Sequence, residues 1–354
     1  MIEKLLDLAI GKKASDLHLS VGRAPVLRVA GRLRNVDVPA LTPNDTEAYV
    51  KEVTPERNMK ELEEICSTDF CFPHRDSSRF RVSAFKQQGV YGLVMRLLPA
   101  GFLTFEQNGI PEQVKKVITG ERGLFLVTGP TGSGKTTTLA TLLNYLNEKT
   151  DYHIITIEDP IEFRHRHKKG IITQREVGQD VPSFAEGLKR ALRQDPDVIM
   201  VGEMRDLETT RVAITAAETG HLVFATLHTS GAVSTIVRLI SQFPHDEQPR
   251  IRAQISASLL GLISQTLVPS ADGKNRYAVM EVLFTTPPVA NMIREGKEAR
   301  IPDEMLKGRQ MGMITLDEFL YNLYISGSIR GEDAIDRAMN PPKLEAKIRG
   351  GAQR

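Results

Sequence analysis

One stretch of this chain limits its possible folds more than any other: Gly129-Pro130-Thr131-Gly132-Ser133-Gly134-Lys135-Thr136, which follows the apolar run Leu124 to Thr128 and precedes the helix-forming run Thr137 to Leu146. It fits the full P-loop pattern in its strand, loop and helix context. Glycines at these positions let backbone N–H groups turn inward toward phosphate oxygens, and the N-terminus of the following helix adds the positive end of its dipole. Lys135 is expected to neutralise the β- and γ-phosphates of ATP, and the Thr136 hydroxyl to ligate Mg²⁺. Pro130, Thr131, Ser133 and Thr137 complete the expected cradle. A glycine-rich turn that merely joined strand to helix would need neither the lysine nor the threonine.

A loop of this kind works with acids carried on neighbouring strand ends, one on the metal side and one that orients the attacking water. Two segments qualify. In Ile155-Thr156-Ile157-Glu158-Asp159-Pro160-Ile161-Glu162 an apolar strand runs into three acids and a proline that ends it. In Asp197-Val198-Ile199-Met200-Val201-Gly202-Glu203 an apolar strand delivers Glu203 where a Walker B acid sits, with Gly202 where many NTPases carry Asp. Glu203 is assigned to the metal side and Glu162 to the water, the reverse assignment remaining open. Glu158 and Asp159 also read as capping or salt-bridging carboxylates. A third strand, Leu222 to Leu227, is preceded by His221 and followed by His228. An imidazole at a strand terminus can sense a γ-phosphate by donating a hydrogen bond; the alternative is a satisfied polar group.

The short strands Leu124 to Thr128, Ile154 to Ile157, Val198 to Val201 and Val223 to Thr226 alternate with helices, which argues for a parallel α/β sheet. The first hundred residues read as a small α+β domain. It opens with an amphipathic helix over Ile2 to Gly11 and continues through strand-like Asp16 to Leu19 and Val26 to Val29. A helix is expected from Thr42 to about Cys66, then paired strands at Phe80 to Phe85 and Gly92 to Leu97. Gly and Pro between Pro99 and Pro111 mark a linker. The expected organisation is residues 1–99 as the N-terminal domain, 100–117 as linker, 118–340 as the nucleotide domain, and 341–354 as a charged tail introduced by Pro341-Pro342. Signals beyond Ala253 are mainly helical.

With 46 basic and 44 acidic residues the net charge is only +2, so charges are interleaved, which argues against nucleic acid as the main partner. The N-terminus lacks a signal-peptide pattern and no apolar run approaches bilayer length, so a soluble protein without membrane insertion is expected. Cys66 and Cys71 form no CxxC pair and read as thiols of a reducing compartment.

Four signatures stand in order: the P-loop, an aspartate box over Ile157 to Glu162, the unusual Walker B over Asp197 to Glu203, and a histidine box over Thr219 to Thr229. In these the chain resembles the secretion ATPase superfamily that drives type IV pili and type II secretion, and within it the pilus retraction ATPases. The likeness covers nearly the whole length, including Ala14-Ser15-Asp16-Leu17-His18-Leu19. Extension and secretion motors usually carry further N-terminal sequence and a four-cysteine zinc insertion, which this sequence lacks. The resemblance implies a PAS-like N-terminal domain and a RecA-like ATPase domain in a homohexamer whose nucleotide sites lie between the domains. It also implies arginines reaching the phosphates, at positions matched by Arg81 and Arg96. A cytoplasmic motor is implied, peripheral to the inner membrane at the pilus base, with a platform protein as partner and pilin as indirect load. A retraction-motor motif corresponds to Val289-Ala290-Asn291-Met292-Ile293-Arg294-Glu295. Its second half matches; Val289, Ala290 and Asn291 depart.

Overall fold

Alternating short apolar strands and amphipathic helices fold the chain into two units in the computed structural model, which describes residues 2–351 apart from Ala30, Asp76, Ser77, Pro99, Ala100 and Glu121. Pro99 and Ala100, at the expected linker, and residues 352–354 of the expected tail lie outside the described residues. The first unit is Met1–Gly101 with Pro160–Arg164; the second is Phe102–Asp159 with His165–Arg354.

The first unit runs α1 (Ile2–Gly11), β1 (Asp16–Leu19), β2 (Val26–Val29), β3 (Arg32–Asn35), α2 (Pro43–Val53), α3 (Glu56–Ile65), β4 (Ser67–His74), β5 (Ser78–Gln87) and β6 (Val90–Leu97). Its six strands lie in the order β3-β2-β1-β6-β5-β4. Every pairing among them is antiparallel. Ile2, Leu6, Leu17, Phe80, Val82, Leu93 and Met95 are buried in one core. The helix expected over Thr42 to Cys66 is two helices. Thr42 opens the first with a capping box to Asp45. Pro55 ends it, because a proline disfavours helical backbone at the residue before it and Thr54 is extended, φ −89° and ψ 121°.

The second unit continues with α4 (Phe105–Asn108), α5 (Gln113–Gly120), β7 (Gly123–Thr128), α6 (Lys135–Lys149), β8 (His153–Glu158), β9 (Ile171–Glu176), α7 (Phe184–Ala191), β10 (Val198–Val201), α8 (Leu207–Glu218), β11 (Leu222–Leu227), α9 (Ala232–Ser241) and α10 (Gln248–Ser258). Then come β12 (Leu259–Pro269), β13 (Arg276–Phe284), α11 (Pro287–Arg294), α12 (Ile301–Lys307), α13 (Leu316–Ile325), α14 (Gly331–Arg337) and α15 (Pro341–Gly351). The sheet order is β13-β12-β7-β11-β10-β8-β9. All neighbours are parallel except the β12–β13 edge pair. All residues of β7, β10 and β11 are buried, as expected for strands covered by helices on both faces.

Three expectations fail here. The stretch 100–117 expected as linker belongs to the second unit from Phe102 on: it holds α4 and the start of α5, and Phe105, Ile110 and Val114 are buried in that unit's core. The region after Ala253 holds the hairpin β12–β13, whose strands are largely buried and show no polar–apolar alternation, with Ser264-Gln265-Thr266 standing together in β12, so periodicity does not separate them from helix. The stretch read as a charged tail is α15, and it packs Leu344 and Ile348 against Val268, Leu320 and Ile329.

Candidate nucleotide site

Parallel pairing in register brings the carboxyl ends of β7, β11, β10 and β8 to one edge of the sheet. Ligands of open α/β sheets bind at that edge. The P-loop leaves β7 and enters α6, with Gly134 at the N-cap. Gly129 has φ +140°, and a Cβ there would lie 2.1 Å from the Gln265 carbonyl oxygen, so only glycine fits. Lys135 Nζ donates to the carbonyls of Gly129 (2.8 Å) and Pro130 (3.1 Å) and lies 3.5 Å from His228 Nδ1. Burial holds the Lys135 ammonium below the usual lysine range, against an opposing pull from Glu203. Thr136 and Thr137 stand partly buried in the first turn of α6, while Thr131 and Gly132 are exposed. Thr131 Oγ1 is 3.5 Å from His228 Nδ1.

His228, just past β11, joins the P-loop to the acid beyond β10: its Nε2 is 2.8 Å from Glu203 Oε1. The second carboxylate oxygen of Glu203 takes Arg205 Nε at 2.7 Å. Gly202 explains the unusual Walker B. Its N–H donates to the Ile157 carbonyl (2.8 Å), and a Cβ would meet that oxygen at 3.1 Å and Glu158 Cα at 3.4 Å, leaving little room for an aspartate. Thr226 Oγ1 donates to the Gly202 carbonyl at 2.5 Å, tying β11 to the Glu203 turn.

His221 is not brought to this edge. It precedes β11, whose first residue pairs with the start of β7: Leu222 faces Gly123, whereas Leu227 faces Thr128. Six strand residues put His221 roughly 20 Å from the P-loop end. Its Nδ1 instead meets the Ala216 carbonyl at 3.0 Å. Glu158 is buried; Thr156 Oγ1 (2.6 Å) and Gln174 Nε2 (3.0 Å) both donate to its Oε1, so it is a satisfied structural carboxylate. Asp159 is exposed.

Within the first unit a second constellation forms. Arg81 on β5 faces Arg96 on β6, which faces Asp16 on β1, which faces Arg28 on β2, so four charged residues make one row across the sheet. Arg96 Nε donates to Asp16 Oδ1 at 2.9 Å and Arg28 Nε lies 3.7 Å from Oδ2. Burial works to raise the Asp16 carboxyl, but the hydrogen bonds from Arg96 and Ser15 outweigh it and hold it low. Glu162, in Pro160–Arg164, lies 3.5 Å from Arg81 Nη1, and its carbonyl accepts from Arg79 Nη1 at 3.2 Å. Cys71 Sγ donates to the neighbouring Ile161 carbonyl at 3.4 Å.

Sequence reasoning missed Gln265. From β12 its Nε2 donates to the Ser133 carbonyl (2.6 Å) and its Oε1 accepts from Thr138 Oγ1 (2.7 Å), bracing the loop against the first turn of α6. Only recognition of β12 as a strand beside β7 would have exposed it. In the motif Val289 to Glu295, Val289 and Ile293 are buried on α11, and Asn291, Arg294 and Glu295 are exposed.

A P-loop lysine, a histidine and a carboxylate gathered at the ends of three adjacent parallel strands, with the histidine strand between the other two, define a RecA-like P-loop ATPase. The sequence pattern described as "Type II/IV secretion system protein" matches residues 1–311, and the chain belongs to that family. The chain is 47% identical over 340 residues to the type IV pilus retractation ATPase PilT of Pseudomonas aeruginosa, covering 96% of this chain and 98% of that protein. It is 45% identical over 320 residues to a twitching motility protein of Neisseria gonorrhoeae, covering 90% and 86%. The crystal structure of the pilus retraction motor PilT with bound ADP superposes with a TM-score of 0.90 at 44% identity, covering 98% of this chain and 99% of that one.

Proposed function

We propose that this chain hydrolyses ATP as a subunit of a hexameric ring motor that retracts type IV pili from the cytoplasmic side of the inner membrane. The observation that carries the reading is the continuous contact from Lys135 through His228 to Glu203. Such a chain links the phosphate loop to the end of β10 and gives the γ-phosphate a route to the rest of the sheet. Likeness to a retraction motor over nearly the whole chain supports the mechanical output. The platform protein is the proposed partner, with pilin as the load.

In this reading the P-loop N–H groups and the Lys135 ammonium hold the β- and γ-phosphates. The donor set suits Mg²⁺, which favours one hydroxyl or carboxylate plus phosphate oxygens and water. Thr136 would hold it directly, and Glu203, whose two oxygens already face Arg205 Nε and His228 Nε2, through water. When bound, Mg²⁺ neutralises charge building on the phosphate oxygens. Glu162 polarises the attacking water, Arg81 and Arg96 offset charge on the transferred phosphoryl group, and His228 reports its presence. Nucleotide exchange then drives rigid-body motion of the ring's domains.

Steady-state ATP hydrolysis by the wild type and Glu162→Gln, with mass by light scattering on the same samples, tests this. A hexameric wild type that turns over ATP, and a hexameric variant that binds ATP but has lost about 10² or more in rate, is expected. A smaller species that binds ATP without turnover would sink the motor reading.

A further inference from the structure

The segment carrying Glu162 departs from the second unit after Asp159 and rejoins it at His165. Its two feet are fastened by one side chain. Gln174 sits on β9 opposite Thr156 of β8. Its Nε2 donates to Glu158 Oε1 at 3.0 Å, on the departing foot, and its Oε1 accepts from the His165 N–H at 2.8 Å, on the returning foot. Thr156 Oγ1 donates to the same Glu158 oxygen at 2.6 Å, a second restraint that holds the carboxylate beside the amide. The returning foot has a second brace: the His165 ring stacks on Phe102, with centroids 4.5 Å apart and planes 29° apart. Phe102 is where the chain first enters the second unit. Burial keeps the His165 imidazole down at about 4, so the stacked ring is neutral at ordinary pH.

We propose that Gln174 is a positioning residue for ATP hydrolysis, setting the placement of the Glu162-bearing segment by clamping Glu158 and His165 with one amide. A primary amide donates through its NH₂ and accepts through its carbonyl oxygen, so one side chain here holds a carboxylate on one foot and a backbone N–H on the other. Replacing it by a hydrocarbon leaves both feet hydrogen-bonded elsewhere or to water, and the segment gains freedom at both ends. Misplacing a reacting group by about 1 Å costs on the order of 10²-fold in rate. The inference rests on the reading that Glu162 acts in hydrolysis.

The test uses the full-length protein. Steady-state ATP hydrolysis is measured for Gln174→Met, Gln174→Glu, Glu162→Gln and the Gln174→Met/Glu162→Gln double variant, with ADP affinity and melting temperature on the same samples. Gln174→Glu keeps the size and the acceptor for His165 but loses the donor to Glu158. Each Gln174 variant is expected to lower kcat about tenfold or more while KM and ADP affinity stay within about twofold. The double variant is expected to be no slower than Glu162→Gln alone, since Gln174 acts through that segment. Wild-type kcat in both Gln174 variants overturns the proposal. So does a further loss on the Glu162→Gln background, or a fall in ADP affinity and melting temperature that tracks kcat. Wild-type turnover by Glu162→Gln instead removes the role of Glu162, independently of any Gln174 result.

Discussion

The two sheets of this protein handle charge in opposite ways. In the seven-stranded, mostly parallel sheet, β7, β10 and β11 are buried along their whole length, and the charged groups that meet at the P-loop lie beyond the strands: Lys135 past β7, His228 past β11, Glu203 past β10. In the six-stranded antiparallel sheet, Asp16, Arg28, Arg81 and Arg96 sit within strands and form a row through register. A strand covered by helices on both faces admits charge only at its ends, whereas an antiparallel sheet can leave one face wet. Charge therefore gathers at strand ends in the second unit and across paired strands in the first.

The contrast is broken most severely at the P-loop. Lys135→Ala is expected to cut ATP turnover by about 10³ or more, as loss of a preorganised charge facing the phosphates does, and a coupled-enzyme assay at saturating ATP measures it. Loss of Arg81 sharpens the other side. If the row serves the transition state, Arg81→Ala should lower kcat by about 10² with the melting temperature unchanged. Arg96→Ala should lower both, since Arg96 also donates to the buried Asp16 carboxylate, and a hydrogen bond to a charged group is worth about 1.5–3 kcal/mol. Equal melting temperatures would erase that distinction.

The two histidines flanking β11 give a smaller and cleaner comparison. His228→Ala is expected to reduce turnover about tenfold, while His221→Ala changes it by less than about twofold in a fixed oligomeric state. Equal losses would mean that the strand-end argument misplaces His221. A last effect, on stability rather than turnover, concerns His165. Its folded value of about 4 lies below the unfolded 6.5, so the unfolded state binds the proton first. Stability should fall as pH drops from 6.5 toward 4, by up to about 3 kcal/mol, and change little from this source above 6.5. His165→Phe keeps the stack on Phe102 and should flatten the melting temperature across that window.

Much of the site was legible because the P-loop, the acid-bearing strands and the histidine strand are each local patterns, where a few consecutive residues fix both the element and the group at its end. Gln265 and Gln174 were not legible. Each is an ordinary glutamine whose meaning depends on the strand beside it: β12 lies next to β7 although about 130 residues separate Gln265 from Ser133. The same limit explains the single helix expected where Pro55 separates two. It also explains α15, whose charged surface hid a buried Leu344 and Ile348 at i, i+4 spacing.

Local sequence suffices for the phosphate chemistry and the family, since the strand, loop and helix around Gly129 to Thr136 arise from local backbone requirements and helix-end electrostatics. Long-range structure alone decides which distant groups meet that loop. Parallel register carries His228 to Lys135 and takes His221 to the far end of the same strand, and antiparallel register aligns Arg81 with Arg96 and Asp16. Pairing between strands is set by burial of their faces across the whole sheet, a quantity that no short stretch of chain contains.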